Sequence, residues 1–167
     1  MKQIYLLSTG GTIEKVYSEQ RGVVENRASK LDRYLGMLRL PDSEIRVISL
    51  MNKDSLEMTA EDRALICAQI KALLPEGAPI VLTHGTDTMV ETGKVIEAAF
   101  PDLKVPVVLT GAMTPLGFEG SDGLQNLTES LLAARLLGPG VFVVVHGQVF
   151  PTSQVRKDKD RATFVQA

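Results

Sequence analysis

A chain of 167 residues, 44% hydrophobic and 23% charged, holds one domain at the usual allowance of about 150 residues each. Twenty acidic against eighteen basic side chains give a net charge of −2 with no long block of one sign, so nothing marks an electrostatic footprint for nucleic acid. The single cysteine, Cys67, excludes an internal disulfide framework and a multi-thiolate zinc site; with His84 and His146 as the imidazole supply, no metal and no cofactor is called for.

No stretch approaches the roughly eighteen apolar residues of a membrane helix, and the short apolar segment 4–7 after Lys2 is no signal peptide. A cytoplasmic, soluble protein with a small-molecule partner and no membrane partner is expected. In chain order, strands are predicted at 3–8, 44–49, 79–83, 105–110 and 141–146, each short and rich in Val, Ile or Leu, several apolar throughout as strands buried on both faces must be. Helical patterns lie between them. Leu31, Leu35 and Leu38 space a helix over 30–38 that Pro41 ends. Ile66, Ile70 and Leu73 mark another over 59–74, which opens with Glu61 and Asp62 at its positive end. Beside that stripe, Cys67 reads as a core residue, because nothing near it in sequence would lower its pKa.

A third helix is expected from Thr86 or Asp87 to before Pro101, with Gly93 allowing close packing on the sheet. A fourth covers 122–137, where Asp122 and Gln125 resemble a capping box and Gly138-Pro139-Gly140 ends the pattern. Strands alternating with helices predict a three-layer α/β domain, a mostly parallel sheet with helices on both faces, of the Rossmann or flavodoxin-like kind. Segments 14–28 and 150–167 show no clear apolar face and are read as polar surface stretches.

Three predicted strand ends combine glycines with hydroxyls: Ser8-Thr9-Gly10-Gly11-Thr12, Thr83-His84-Gly85-Thr86-Asp87-Thr88 and Thr110-Gly111-Ala112-Met113-Thr114. Ligands of open parallel sheets bind outside the carboxyl ends of the strands, so these turns should meet at one crevice. Glycines let backbone N–H groups approach a ligand, and hydroxyls supply donors and nucleophiles. The dinucleotide spacing Gly-x-Gly-x-x-Gly is missing, and Gly93-Lys94-Val95 fails the phosphate-loop pattern. A glycine-rich turn before a helix binds a carboxylate by the same physics as a phosphate, which admits amino-acid-like ligands. A hydroxyl nucleophile needs a base. His84, ending an apolar strand, reads as a structural residue bonded under its turn, which leaves lysine; a lysine base near neutral pH requires roughly 4 kcal/mol of burial and charge effects. Asp87 is positioned either to grip an ammonium group or to serve a helix start.

Thr9-Gly10-Gly11-Thr12-Ile13 followed by His84-Gly85-Thr86-Asp87-Thr88-Met89 resembles the bacterial-type L-asparaginases. Further matches are Asp54-Ser55, Met58-Thr59, Thr110-Gly111-Ala112-Met113, Ser121-Asp122-Gly123, Asn126-Leu127 and Val155-Arg156-Lys157. The resemblance implies Thr12 as nucleophile on a side-chain amide and Thr86 as a second catalytic threonine paired with Lys157. It implies Asp87 on the substrate ammonium and Ser55 on its carboxylate, with Gly11, the Thr86 N–H and the Ala112 carbonyl facing the substrate. Tyr17 falls where the family carries a lid tyrosine. L-asparagine, and with it L-glutamine, is the implied substrate, turned over through a threonine-bound acyl-enzyme, in a homo-oligomer. Members typically continue into a smaller C-terminal domain beyond the lysine; the chain is read either as a naturally short single-domain form over 1–167 or as a truncated product, and the agreement of all five matched positions favours the first. Two other readings stay open: a non-catalytic amino-acid-binding module, and an amidase component that feeds ammonia to a larger assembly, as in the related archaeal tRNA amidotransferases.

Overall fold

The computed structural model describes residues 1–27 and 29–167. In β1 (Lys2–Gly10), Ile4 and Leu6 are buried on one face and Tyr5 and Leu7 on the other. Alternate residues of a strand point to opposite faces, so a strand buried throughout needs cover on both sides. A 3₁₀ turn (Thr12–Glu14) leads to a small antiparallel hairpin, β2 (Val16–Ser18) with β3 (Val23–Glu25), and then to the short helix α1 (Leu31–Leu35). The alternating series follows: β4 (Ser43–Lys53), α2 (Ala60–Leu73), β5 (Ile80–Thr83), α3 (Met89–Ala99), β6 (Pro106–Thr110), α4 (Gly123–Leu136) and β7 (Gly140–Val145). β8 (Gln148–Pro151) turns back along β7, and a second hairpin joins β9 (Val155–Asp158) to β10 (Thr163–Gln166).

The main sheet runs β4-β1-β5-β6-β7-β8, parallel at every pairing but the last. On one face α2 and α3 pack Ile66, Ile70, Met89 and Ile96 against Leu7, Ile80, Leu82 and Leu109. On the other α1 and α4 pack Leu31, Leu127 and Leu131 against Ile4, Leu6, Val81 and Val108. This is the expected three-layer α/β architecture. From β1 the chain steps to β4 on one side and then to β5 on the other, so the strand order reverses between β1 and β5, and a crevice opens at their carboxyl ends.

Several expectations change in detail. The 30–38 pattern yields helix over Leu31–Leu35 alone, after which Met37 and Leu38 donate three residues back in a tightened end. The third helix starts at Met89, not at Thr86 or Asp87, which leaves both residues in the preceding turn, free of a capping role. Asp122 forms no capping box with Gln125: its carboxylate faces the 110–114 turn, and Gln125 bonds Glu129 instead. Thr59 does cap α2, in a reciprocal pair with Asp62. Gly93 packs on the Thr152 side chain and not on the sheet, since an added Cβ would collide with Thr152 Cγ2. The two segments read as polar surface both hold hairpins, and 150–167 contributes the fully buried Phe164 and Val155 to the core. Ala28, the last residue of 14–28, lies outside the described residues. Cys67 is partly buried against the α2 face of the core, where burial pushes its thiol pKa up, as expected of a structural cysteine.

Candidate functional site

The crevice is built from loops that follow β1, β4, β5 and β6. Backbone at the end of β1 turns through Gly10 and Gly11, both at positive φ (102° and 79°), a conformation glycine adopts without steric cost. A side chain on Gly11 would collide with the backbone of Gly85, so the β1 and β5 turns lie directly against each other. Thr9 reinforces that contact, its hydroxyl donating to the Thr83 carbonyl at 2.7 Å. Gly85 in turn leaves space for Ser55, whose Oγ would stand 2.6 Å from a Cβ there. Ser55 is buried and its Oγ accepts from the Thr88 N–H at 3.3 Å, while the Thr88 hydroxyl donates to the Ser55 carbonyl at 2.9 Å. Ser55 is not a helix cap: Asp54 caps that short turn and Thr59 caps α2.

Thr12 begins the 3₁₀ turn after Gly11 and stays partly exposed, and its hydroxyl has no hydrogen-bond partner among the described residues. Behind it lies Glu14, whose buried carboxylate accepts from Ser8 Oγ (2.6 Å), Gly10 N (2.9 Å) and Thr83 Oγ1 (3.0 Å). This carboxylate ties the Thr12 turn to β1 and β5. Sequence reading missed it, because Glu14 follows the glycine turn at the head of the polar stretch 14–28 and nothing local marks its carboxylate as buried.

Lys157, arriving from β9, donates to Thr86 Oγ1 at 2.7 Å and to Asp87 Oδ1 at 2.8 Å. The expected pairing of Thr86 with Lys157 is therefore present, and Asp87 is the lysine's second partner. One Asp87 oxygen and one of the three ammonium hydrogens remain for a ligand. Thr86 is buried, yet its backbone N–H has no partner among the described residues.

Ala112 lies buried in the turn after β6. Asp122 accepts from Met113 N on both oxygens at 3.0 Å, from Thr114 N, and from Asn126 Nδ2. Carbonyl and N–H of one trans peptide point in opposite directions, so this grip on the Met113 N–H turns the Ala112 carbonyl away from Asp122. Burial disfavours the Asp122 charge, but these N–H donors and His146 outweigh it and hold the carboxyl below the usual carboxylate range. His146 bridges Asp122 Oδ2 (2.7 Å) and Thr163 Oγ1 (2.8 Å), linking the β6 turn to the hairpin that carries Lys157.

Tyr17 stands apart. It sits in β2 opposite Val24, its side chain 58% exposed, with no hydrogen-bond partner for its hydroxyl among the described residues. The hairpin is held at its ends: Lys15 Nζ meets Asp54 Oδ2 at 2.8 Å, and Asn26 Nδ2 reaches the Gly11 carbonyl (2.8 Å) and Asn52 Oδ1 (2.9 Å). The Lys15 ammonium, helped by the Leu56 N–H, holds the Asp54 carboxyl below its ordinary range.

Hydroxyls, an amine bonded to one of them, a carboxylate and unpartnered backbone N–H groups suit acyl-transfer chemistry on a small polar molecule. Comparison with known proteins agrees. The family described as asparaginase, N-terminal, matches residues 3–165. L-asparaginase of Thermococcus kodakarensis is 30% identical over 155 residues, covering 93% of this chain and 47% of that protein. L-asparaginase 1 of Escherichia coli K12 is 35% identical over 139 residues, 80% of this chain and 40% of that protein. A glutamyl-tRNA(Gln) amidotransferase subunit of Methanococcus vannielii is 31% identical over 154 residues, 91% of this chain and 36% of its own length. Among solved structures, the thermostable Thermococcus kodakarensis L-asparaginase superposes with a TM-score of 0.84 at 29% identity, covering 98% of this chain and 51% of that one. The chain thus spans about half the length, or less, of these relatives.

Proposed function

This chain belongs to the asparaginase family, and from that premise we propose that it hydrolyses the side-chain amide of L-asparagine to L-aspartate and ammonia. Thr12 Oγ attacks the amide carbon, ammonia leaves, and water releases aspartate from the resulting threonine ester. The observation that carries this reading is the Lys157 contact with Thr86 Oγ1 and Asp87 Oδ1, an amine, a hydroxyl and a carboxylate joined beside the turn of Thr12.

In this mechanism Asp87 offers its remaining oxygen to the substrate α-ammonium. Lys157 acts as the amine base: it takes the Thr86 hydroxyl proton as Thr86 takes one from the attacking hydroxyl, and the proton is returned to the departing nitrogen, which leaves as ammonia. Ser55 holds the α-carboxylate. The Thr86 N–H, with the Thr12 N–H, receives the negative charge that develops on the attacked oxygen, the Gly11 N–H being bonded to the Lys53 carbonyl, and the Ala112 carbonyl accepts from the amide NH₂. Tyr17 completes the site when the hairpin closes over bound substrate.

Ammonia release from purified protein given L-asparagine, with L-glutamine and the D-isomers in parallel and Thr12→Ala as blank, tests the proposal. Turnover in the wild type and none in the variant is the expected result; undiminished release by Thr12→Ala refutes the nucleophile. Similarity to the glutamyl-tRNA(Gln) amidotransferase chain supports a second reading, an amidase component of a larger assembly. That reading expects release from glutamine to exceed release from asparagine. One methylene in a pocket is worth about 1–3 kcal/mol of discrimination, so the ratio of the two rates is decisive only with both measured on the same sample.

A further inference from the structure

His84 directly follows β5, fully buried and next to the Gly85-Thr86 peptide. Its Nδ1 lies 2.7 Å from the Gly85 carbonyl oxygen, and its Nε2 lies 2.7 Å from Thr92 Oγ1 and 3.1 Å from Met58 Sδ. Arg63, also buried, donates from Nε to that Thr92 oxygen at 3.0 Å. A carbonyl oxygen can only accept, so Nδ1 must carry the hydrogen; Nε2 then accepts from the Thr92 hydroxyl, and Thr92 accepts from the guanidinium. Direction is therefore fixed along the whole chain, from Arg63 through Thr92 and His84 to Gly85, and the permanent charge sits at the end that can only donate.

The consequence falls on the next group along. Gly85 C=O and Thr86 N–H belong to one planar trans peptide and point in opposite directions. With the carbonyl drawn back to His84, the Thr86 N–H is turned away from the buried imidazole, and there it has no partner among the described residues. A glycine at 85 has little preference of its own between the two orientations of this peptide. We propose that His84 is a positioning residue: held as its Nδ1–H tautomer by Thr92 and Arg63, it fixes the 85–86 peptide so that the Thr86 N–H faces the reacting carbonyl oxygen. The role of that N–H rests on the asparaginase reading; the orientation of the peptide does not.

Desolvation brings the His84 pKa down to about 4, and the Arg63 charge acts in the same direction. The ring is accordingly neutral wherever the enzyme would work, as a directional relay requires.

Three substitutions separate the two ends of the ring. The side-chain nitrogen of asparagine overlays Nδ1, and glutamine reaches the Nε2 position, where its amide oxygen accepts from Thr92 as Nε2 does. His84→Asn keeps the donor to Gly85, and its kcat should stay within about tenfold of wild type. His84→Gln keeps the Thr92 end and should lose about 10²-fold in kcat with KM for asparagine changed less than threefold, the size of effect seen when one oxyanion donor is removed. Thr92→Val should fall between them. Equal losses in Asn and Gln variants of matched thermal stability, or a loss confined to KM, would overturn the proposal. Nitrogen NMR of histidine-labelled wild type, with no substrate present, should show His84 protonated at Nδ1; protonation at Nε2 would overturn it. This reading holds even if the wild type releases no ammonia, in which case the functional proposal fails and the tautomer still judges the relay.

Discussion

Two short antiparallel hairpins carry candidate catalytic side chains to the crevice, and they are held in different ways. β9–β10 is rooted in the core: Phe164 and Val155 are buried, and Thr163 is bonded through His146 to Asp122, the residue that shapes the β6 turn. Lys157 accordingly reaches Thr86 and Asp87 from a hairpin fixed in the core. β2–β3 has Tyr17, Val23 and Val24 exposed and is fixed at its two ends by polar contacts from Lys15 and Asn26. Buried apolar area of this kind is worth several kcal/mol, and a partly exposed ion pair less than about one. Under the proposed mechanism, this contrast makes Lys157 a preorganised base and Tyr17 a lid residue whose position depends on the substrate.

The largest effect should come from removing the rooted group. Lys157→Met is expected to lower kcat by about 10²- to 10⁴-fold, the usual worth of a positioned general base. Steady-state ammonia release checks this, and a rate within twofold of wild type would leave Lys157 as the ion-pair partner of Asp87 and no more. Next, Phe164→Ala should cost about 3–5 kcal/mol of stability as a large-to-small core change. If the hairpin is what carries Lys157, activity measured well below the melting temperature should fall as well. Full activity in a destabilised protein would break the link between root and base.

Smaller effects belong to the other hairpin. Tyr17→Phe should lower kcat about tenfold with stability unchanged, the worth of roughly one hydrogen bond made when the lid closes. Lys15→Ala should raise KM by no more than about fivefold, in line with a partly exposed ion pair. Acid should act on the same latch. The folded Asp54 carboxyl lies below its unfolded value, so its contribution is complete above the ordinary carboxylate range and is lost as pH falls through the depressed folded value. Amide protection over 15–26, taken relative to the intrinsic exchange rate at each pH, should fall as pH drops through that window in the wild type and be low at every pH in Lys15→Ala. Equal exchange in the two hairpins would contradict the comparison from which these expectations come.

The same contrast explains what could be read in the sequence. The doubly covered strands were legible because continuous apolar runs such as Ile80–Thr83 admit few alternatives, and the glycine and hydroxyl turns pointed to the crevice because ligands gather at the ends of parallel strands. Both hairpins were missed, since strands of three or four residues give too few alternations to register and Phe164 stands alone in a charged segment. Family resemblance supplied Lys157, which composition alone would have left in the solvated run 156–160. The groups behind the site escaped for another reason. Glu14, Asp122 and the Arg63–Thr92–His84 relay act through contacts between residues far apart in sequence, and no local pattern records them.

In the proposed reaction Thr12 carries the acyl group, and that can be observed directly. Protein mixed with L-asparagine, quenched in acid within milliseconds and digested, should yield a peptide containing Thr12 heavier by one aspartyl acyl group, absent from Thr12→Ala and from samples quenched before mixing. Steady turnover with that peptide unmodified at every quench time, and with Thr12→Ala as active as the wild type, would contradict it.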